Sequence, residues 1–254
     1  MIWIALPIAL TYVAACGYLY VRQRDLTYCP QLTRVGVEQT DFSLSQDGVT
    51  LRGWVVNPGR RRALIYFGGN AESIQDHRDT FAQWFPNHTA YLVAYRGFGA
   101  SEGEPSEQAL FSDALALFDT VRARHPRAGV DVIGRSLGTG VASHVAGHRP
   151  VRRLALVTPF DTLVDVGQQY YPWLPVKLIA RERFDSVTYL SRYAGPLLVV
   201  QAGRDVVVPP ANTRRLIASI GRPAKVLDLP DADHSNVGAD PVFRQTLTRF
   251  FTRR

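Results

Sequence analysis

A chain of 254 residues is long enough to bury one large α/β core. Its 46% apolar and 20% charged residues exclude an intrinsically disordered chain, and no internal period points to a solenoid or propeller. The net charge of +7 rests on arginine, since Lys177 and Lys225 are the only lysines. The arginines are dispersed and no nucleic-acid-binding module accompanies them, so nucleic acid is not an expected partner. A plain basic surface, or one attracting anionic lipid headgroups or acidic substrates, accounts for the charge. Cys16 and Cys29 offer neither a disulfide framework nor zinc spacing. His77, His88, His125, His144 and His148 have no ligand spacing with carboxylates and read as surface or helix residues. No metal and no cofactor is expected.

Met1 to Val21 carries no charged side chain, and Arg22 and Arg24 follow at once. About twenty apolar residues at about 1.5 Å each span a bilayer, so residues 1–24 read as an uncleaved single-pass membrane anchor. One alternative is a cleaved lipoprotein signal, because Val13-Ala14-Ala15-Cys16 has the small residues that precede a lipidated cysteine; the usual basic residues before the apolar run are missing. The other is a buried N-terminal helix. Arg22 and Arg24 favour a cytoplasmic domain, though two charges leave the side of the membrane open.

Residues 25–254 then alternate strand and helix. Phe42–Ser45 and Val49–Val56 flank Asp47-Gly48 as a β-hairpin. Apolar runs at Ala63–Phe67, Ala90–Tyr95, Val130–Ile133, Leu154–Val157, Leu197–Gln201 and Lys225–Leu229 read as strands. Between them lie helices over Ser73–Trp84, after the capping Ser106, and from Leu137 to about Ala146, with a last one near Val242–Phe251. An antiparallel opening followed by parallel units predicts a mostly parallel sheet with helices on both faces.

Gly134-Arg135-Ser136-Leu137-Gly138 falls between a strand and a helix, where a sharp turn exposes the serine hydroxyl and the helix N-terminus offers N–H groups to an oxyanion. A serine needs a base. His234 lies in a polar loop after the last strand, at the sheet edge where ligands collect. The acid should lie between them after a strand. Asp205, after the Gly203 turn, is the first choice, with Asp161 in reserve, and Asp231 and Asp233 read as solvated turn residues.

The order Ser136, Asp205, His234 resembles that of the α/β-hydrolase superfamily from about residue 40 onward. Gly69-Asn70-Ala71, Tyr95 to Gly103, Thr158-Pro159-Phe160, Arg183-Phe184-Asp185-Ser186 and Gly203-Arg204-Asp205 are most similar to the membrane-anchored abhydrolase-domain branch. That branch includes depalmitoylases and monoacylglycerol or lysophospholipid lipases. The resemblance implies oxyanion donors at the backbone N–H groups of Leu137 and Asn70. One departure is Gly68-Gly69 where the family has His-Gly; it removes a loop-ordering side chain and leaves the choice between Asn70 and Gly69 open.

Between Asp161 and Tyr193 an insertion carries Tyr170, Tyr171, Trp173 and Leu174. It reads either as a lid over an acyl pocket or as a packed surface helix whose aromatics are core. The expected function is a serine hydrolase acting on the ester or thioester of a lipid or acylated substrate. The alternatives are a peptidase or small-ester carboxylesterase on the same scaffold, and a non-catalytic binding protein.

Overall fold

The computed structural model describes residues 2–252, with side chains from Leu6 onward. Helix α1 (Ile2–Thr27) leads through two short 3₁₀ turns to the hairpin of β1 (Phe42–Gln46) and β2 (Val49–Val56). Asp47 and Gly48 both hold positive φ, 48° and 76°, which gives the hairpin turn its twist. Then follow β3 (Arg62–Phe67), α2 (Arg78–Trp84), β4 (His88–Val93), α3 (Glu107–Arg124), β5 (Val130–Arg135), α4 (Leu137–His148) and β6 (Arg153–Val157). Three short helices, α5 (Leu163–Tyr170), α6 (Val176–Ile179) and α7 (Ser186–Leu190), make up the insertion. The chain closes with β7 (Leu197–Ala202), α8 (Pro210–Ser219), β8 (Lys225–Leu229) and α9 (Pro241–Thr252).

Among the described residues the strands form one eight-stranded sheet in the order β1-β2-β4-β3-β5-β6-β7-β8. The pairs β1–β2 and β2–β4 are antiparallel and all others parallel. Strands β4 and β7 are buried along their whole length, as a parallel sheet covered on both faces requires. Edge strand β8 is largely exposed. The C-terminal ends of β5, β7 and β8 open on one side of the sheet, and the loops that leave them carry Ser136, Asp205 and His234.

Three expectations need correction. The helix foreseen over Ser73–Trp84 begins as a 3₁₀ turn, Ile74–His77, and becomes α-helical only at Arg78. The strand foreseen to Tyr95 ends at Val93; Ala94 N–H still donates to the Arg52 carbonyl of β2, and beyond it the chain folds into tight turns, with Phe98 N–H donating to the Tyr95 carbonyl and Gly97 N–H to the Glu102 carbonyl. His88 is no surface residue. It opens the fully buried β4 with its Nε2 3.2 Å from Asp131 Oδ2, between the rings of Phe85 and Phe251.

Met1, and the side chains of residues 2–5, belong to the expected membrane span but lie outside the described residues. Among the described residues no helix is long and apolar enough to cross a membrane. The segment is one helix that packs part of its length against the insertion, where the Tyr12 hydroxyl donates to the Trp173 carbonyl at 3.1 Å.

Candidate active site

Ser136 stands between β5 and α4 with φ 50° and ψ −119°, a strained conformation for a residue with a Cβ. Backbone bonds hold it there: Ser136 N–H donates to the Val157 carbonyl at 3.0 Å, and its own carbonyl accepts from Thr139 N–H at 2.9 Å. The flanking glycines are required by space. A Cβ on Gly134 would collide with the Gly138 carbonyl and Ala142, and one on Gly138 with the carbonyls of Phe67 and Gly68. The hairpin-tight passage from strand to helix thus depends on both.

The structure brings His234 and Asp205 to this serine. His234 Nε2 lies 2.9 Å from Ser136 Oγ, and His234 Nδ1 lies 2.7 Å from Asp205 Oδ2. The other oxygen of Asp205 accepts from the N–H groups of Val207 and Val208 at 2.8 and 2.7 Å. That division leaves Oδ2 for the imidazole and selects the tautomer in which Nδ1 donates and Nε2 can take the serine proton. Asp161, the reserve acid, is engaged elsewhere: it accepts from Asn212 Nδ2 at 2.8 Å and pairs with Arg215. Asp231 and Asp233 lie on the loop surface, Asp231 paired with Arg204 and Asp233 accepting from Ser235 and Asn236 N–H.

Asn70 and Leu137 border the same cavity as Ser136. As the first residue of α4, Leu137 has an N–H with no partner within the helix. Gly69 N–H donates to the Glu72 carboxylate, so between Gly69 and Asn70 the candidate oxyanion donor is Asn70. The Asn70 side chain accepts from Cys29 N–H at 2.9 Å, which ties this loop to the segment following α1.

Sequence reasoning missed Glu72. Its carboxylate accepts from Tyr66 Oη at 2.7 Å, contacts His77 Nε2 at 2.5 Å and pairs with Arg135 Nη1 at 3.1 Å. Burial works against its ionised form, but the bonds from His77, Tyr66 and Gly69 and the Arg135 charge outweigh it and bring the carboxyl down to about 2. Arg135 in turn donates from Nη2 to the His234 carbonyl at 2.9 Å. This largely buried ion pair therefore ties the Gly69–Asn70 loop to the His234 loop. The signal for it was small: a lone Glu three residues after Gly69 and an Arg inside the serine motif.

A cavity of about 340 Å³ opens on Ser136. Tyr170 and Tyr171 of the insertion line it; Trp173 and Leu174 do not, and Trp173 is 77% exposed. The insertion is thus a cover at its α5 and α6 helices, while Phe184, just before α7, is fully buried and packs edge-on against Phe111. Leu19, Gln23, Leu26 and Thr27 of α1 line the cavity too, which nothing in the sequence indicated.

The fold, with an apolar cavity beside a Ser–His–Asp cluster on the loops leaving a mostly parallel sheet, is that of a hydrolase scaffold. Residues 59–181 match the family described as Hydrolase_4, Serine aminopeptidase, S33, a stretch that contains Ser136 and not Asp205 or His234. "Uncharacterized protein Rv2307c" of Mycobacterium tuberculosis (strain ATCC 25618 / H37Rv) is 30% identical over 249 residues, covering 91% of this chain and 89% of that protein. "Lysophosphatidylserine lipase ABHD12" of Macaca fascicularis is 31% identical over 183 residues, 64% of this chain and 46% of that one. Among solved structures the Pyrococcus furiosus esterase Pf2001 superposes with a TM-score of 0.67 at 17% identity, covering 89% of this chain and 93% of that one, a likeness of fold. The chain belongs to the α/β-hydrolase superfamily.

Proposed function

We propose that the protein is a serine hydrolase that cleaves a carboxylic ester or thioester, of a lipid or an acylated substrate, through an acyl-enzyme on Ser136. The observation that carries this reading is the chain Asp205–His234–Ser136, with bonds of 2.7 and 2.9 Å, ending at the floor of an apolar cavity. Ser136 Oγ attacks the carbonyl carbon while its proton passes to His234 Nε2, and Asp205 stabilises the imidazolium. The N–H groups of Leu137 and Asn70 receive the oxyanion. Collapse expels the alcohol or thiol, which takes the proton from His234. Water, deprotonated in its turn by His234, then attacks the acyl-enzyme and releases the carboxylic acid.

A lipid substrate is supported by the rim. Trp173 and Leu178 of the insertion are 77% and 86% exposed, and Leu6, Ile8, Leu10, Val13 and Val21 of α1 are exposed as well. Monomeric surfaces rarely carry such a patch without a partner, and Lys177 and Arg181 beside it suit anionic headgroups. In this reading α1 holds the protein at a membrane, as an inserted helix or through a lipidated Cys16. A peptidase of the kind the family description names is less well supported. A free amino terminus calls for an unpaired carboxylate in the pocket, and Glu182, which lines it, is already paired with Arg24 and accepts from Tyr28 Oη.

The test is labelling of the full chain with a fluorophosphonate, beside Ser136→Ala, read by intact mass. A single adduct on the parent and none on the variant is expected. An unlabelled, folded parent would remove the catalytic reading, and equal labelling of both would move the nucleophile to another residue. The same spectra report whether the chain begins at a lipidated Cys16.

A further inference from the structure

Helix α1 is more than a tether. Along its length only one stripe of described side chains is partly covered, at Ala15, Cys16, Leu19, Gln23 and Thr27, the i, i+4, i+8 spacing of a single helix face. Leu19, Gln23 and Thr27 of this stripe, joined by Leu26, line the cavity that contains Ser136.

The docking is specific in register. Gln23 uses both ends of its amide on the backbone of the insertion: Nε2 donates to the Ile179 carbonyl at 3.4 Å, and Oε1 accepts from Arg181 N–H at 2.6 Å. Glu182, buried beside the cavity, accepts from Arg24 Nε at 3.0 Å and from Tyr28 Oη at 2.6 Å, and also from Glu107 N–H at the start of α3. Holding long side chains such as Gln23, Arg24 and Glu182 in one arrangement costs conformational entropy, and a passive tether has no use for it. A wall does. Leu19, Gln23, Leu26 and Thr27 line the cavity together with Val176 and Ile179 of α6.

We propose that α1 is a wall of the substrate site, and that a single long acyl chain with its carbonyl at Ser136 runs against Leu19 and Leu26 on one side and the insertion on the other. The position of the carbonyl rests on the ester-hydrolase reading above; the binding of the chain does not. The segment that reaches the lipid phase and the segment that selects the acyl group are then the same helix, and chain-length preference is set by α1.

Two readouts on the full-length protein test this, with Leu19→Trp, Leu26→Trp and, as a control on the same helix, Val21→Trp at a 73% exposed position. The first is kcat/KM for p-nitrophenyl esters from acetate to palmitate. The second is binding of a fluorescent 16-carbon fatty acid in a Ser136→Ala background, at one detergent concentration, which needs no turnover. Excluding about two buried methylenes is enough for roughly a tenfold loss. The Leu19 and Leu26 variants should lose at least that much in fatty-acid binding and in palmitate turnover relative to their own acetate turnover, while the Val21 variant stays at parent values in both readouts. Should the tryptophan variants fail to fold, Leu19→Ala and Leu26→Ala should lose fatty-acid affinity and show a lower ratio of palmitate to acetate turnover than the parent. Parent-like chain-length profiles and binding in the Leu19 and Leu26 variants overturn the proposal while leaving an active hydrolase. An inactive parent whose fatty-acid binding is still lost on Leu19→Trp overturns the ester-hydrolase reading and keeps the wall.

Discussion

On one side of the cleft Ser136 is held by backbone: a positive φ, two glycines with no room for a Cβ, and main-chain bonds to Val157 and Thr139. On the other side the cavity is closed by α1 and the α5–α6 insertion, joined through side chains, chiefly Gln23 and Glu182, and otherwise ringed by exposed apolar groups. The first side is built to allow one geometry. The second is held by a handful of polar contacts that can be exchanged or lost singly. On the proposed reading, chemistry and selectivity therefore fail separately, and mutations can show it.

The largest effect is expected on the rigid side. Asp205→Asn keeps an oxygen for Val207 and Val208 N–H but turns an amide NH₂ towards His234 Nδ1, imposing the wrong tautomer. A fall in kcat of about 10⁴-fold with an unchanged circular dichroism spectrum is expected, by analogy with the same change in a serine protease triad. A fall of only a few fold would show that His234 does not depend on this acid.

Next comes the ion pair that ties the two loops together. Glu72→Gln leaves a similar shape but removes the charge that holds Arg135 and the acceptor that holds Gly69 N–H. We expect kcat for a short ester to fall roughly 10- to 100-fold with KM little changed, less than the 10²–10³ of losing an oxyanion donor outright. A rise in KM at constant kcat would place Glu72 in substrate binding instead.

On the side-chain-held wall the expected change is in stability and selectivity. Glu182→Ala leaves Tyr28 Oη and Glu107 N–H without their acceptor, a cost of about 1–3 kcal/mol for each buried group left unpaired. Thermal unfolding should move down and palmitate ester turnover should drop, with acetate ester turnover nearly retained. Equal loss on both esters would mean that the two sides are coupled.

The smallest effect concerns acid. His144 stacks on Phe111 at 3.9 Å, and its burial, with the neighbouring His148, Arg149 and Arg192 charges, lowers its pKa to about 4. The folded state thus resists a proton that the unfolded chain accepts near 6.5. Stability present above that value should decline as pH falls from about 6.5 towards 4. Glu72 adds a second loss of the same sign as pH falls from about 4.5 towards 2. In His144→Gln the melting temperature should vary less between pH 7 and 4 than in the parent; an identical slope would assign the acid sensitivity to other groups.

Much of the rigid side was legible in the chain because its signals are local. Gly134 and Gly138 bracket a serine between strand and helix, and apolar runs mark the strands on either side; away from the cleft, Asp47-Gly48 likewise marks the β1–β2 turn. Chain order and loop position were enough to nominate Asp205 and His234. His88 was misjudged because polarity says little about a residue in a strand covered on both faces, where Asp131 and Arg152 supply its polar surroundings.

The amino-acid sequence by itself determined the strand–helix alternation, the serine turn and the residues nominated for the triad, since those follow from periodicity and from backbone geometry over a few neighbouring residues. Only the tertiary structure decided that Asp205 and not Asp161 meets the imidazole, that Glu72 and Arg135 hold two loops together, and that α1 lines the cavity. Each of these joins groups far apart in the chain, from 29 residues between His234 and Asp205 to 158 between Arg24 and Glu182. Such contacts exist because the sheet carries its loops to one edge and the insertion folds back over them, and no local pattern of residues records that meeting.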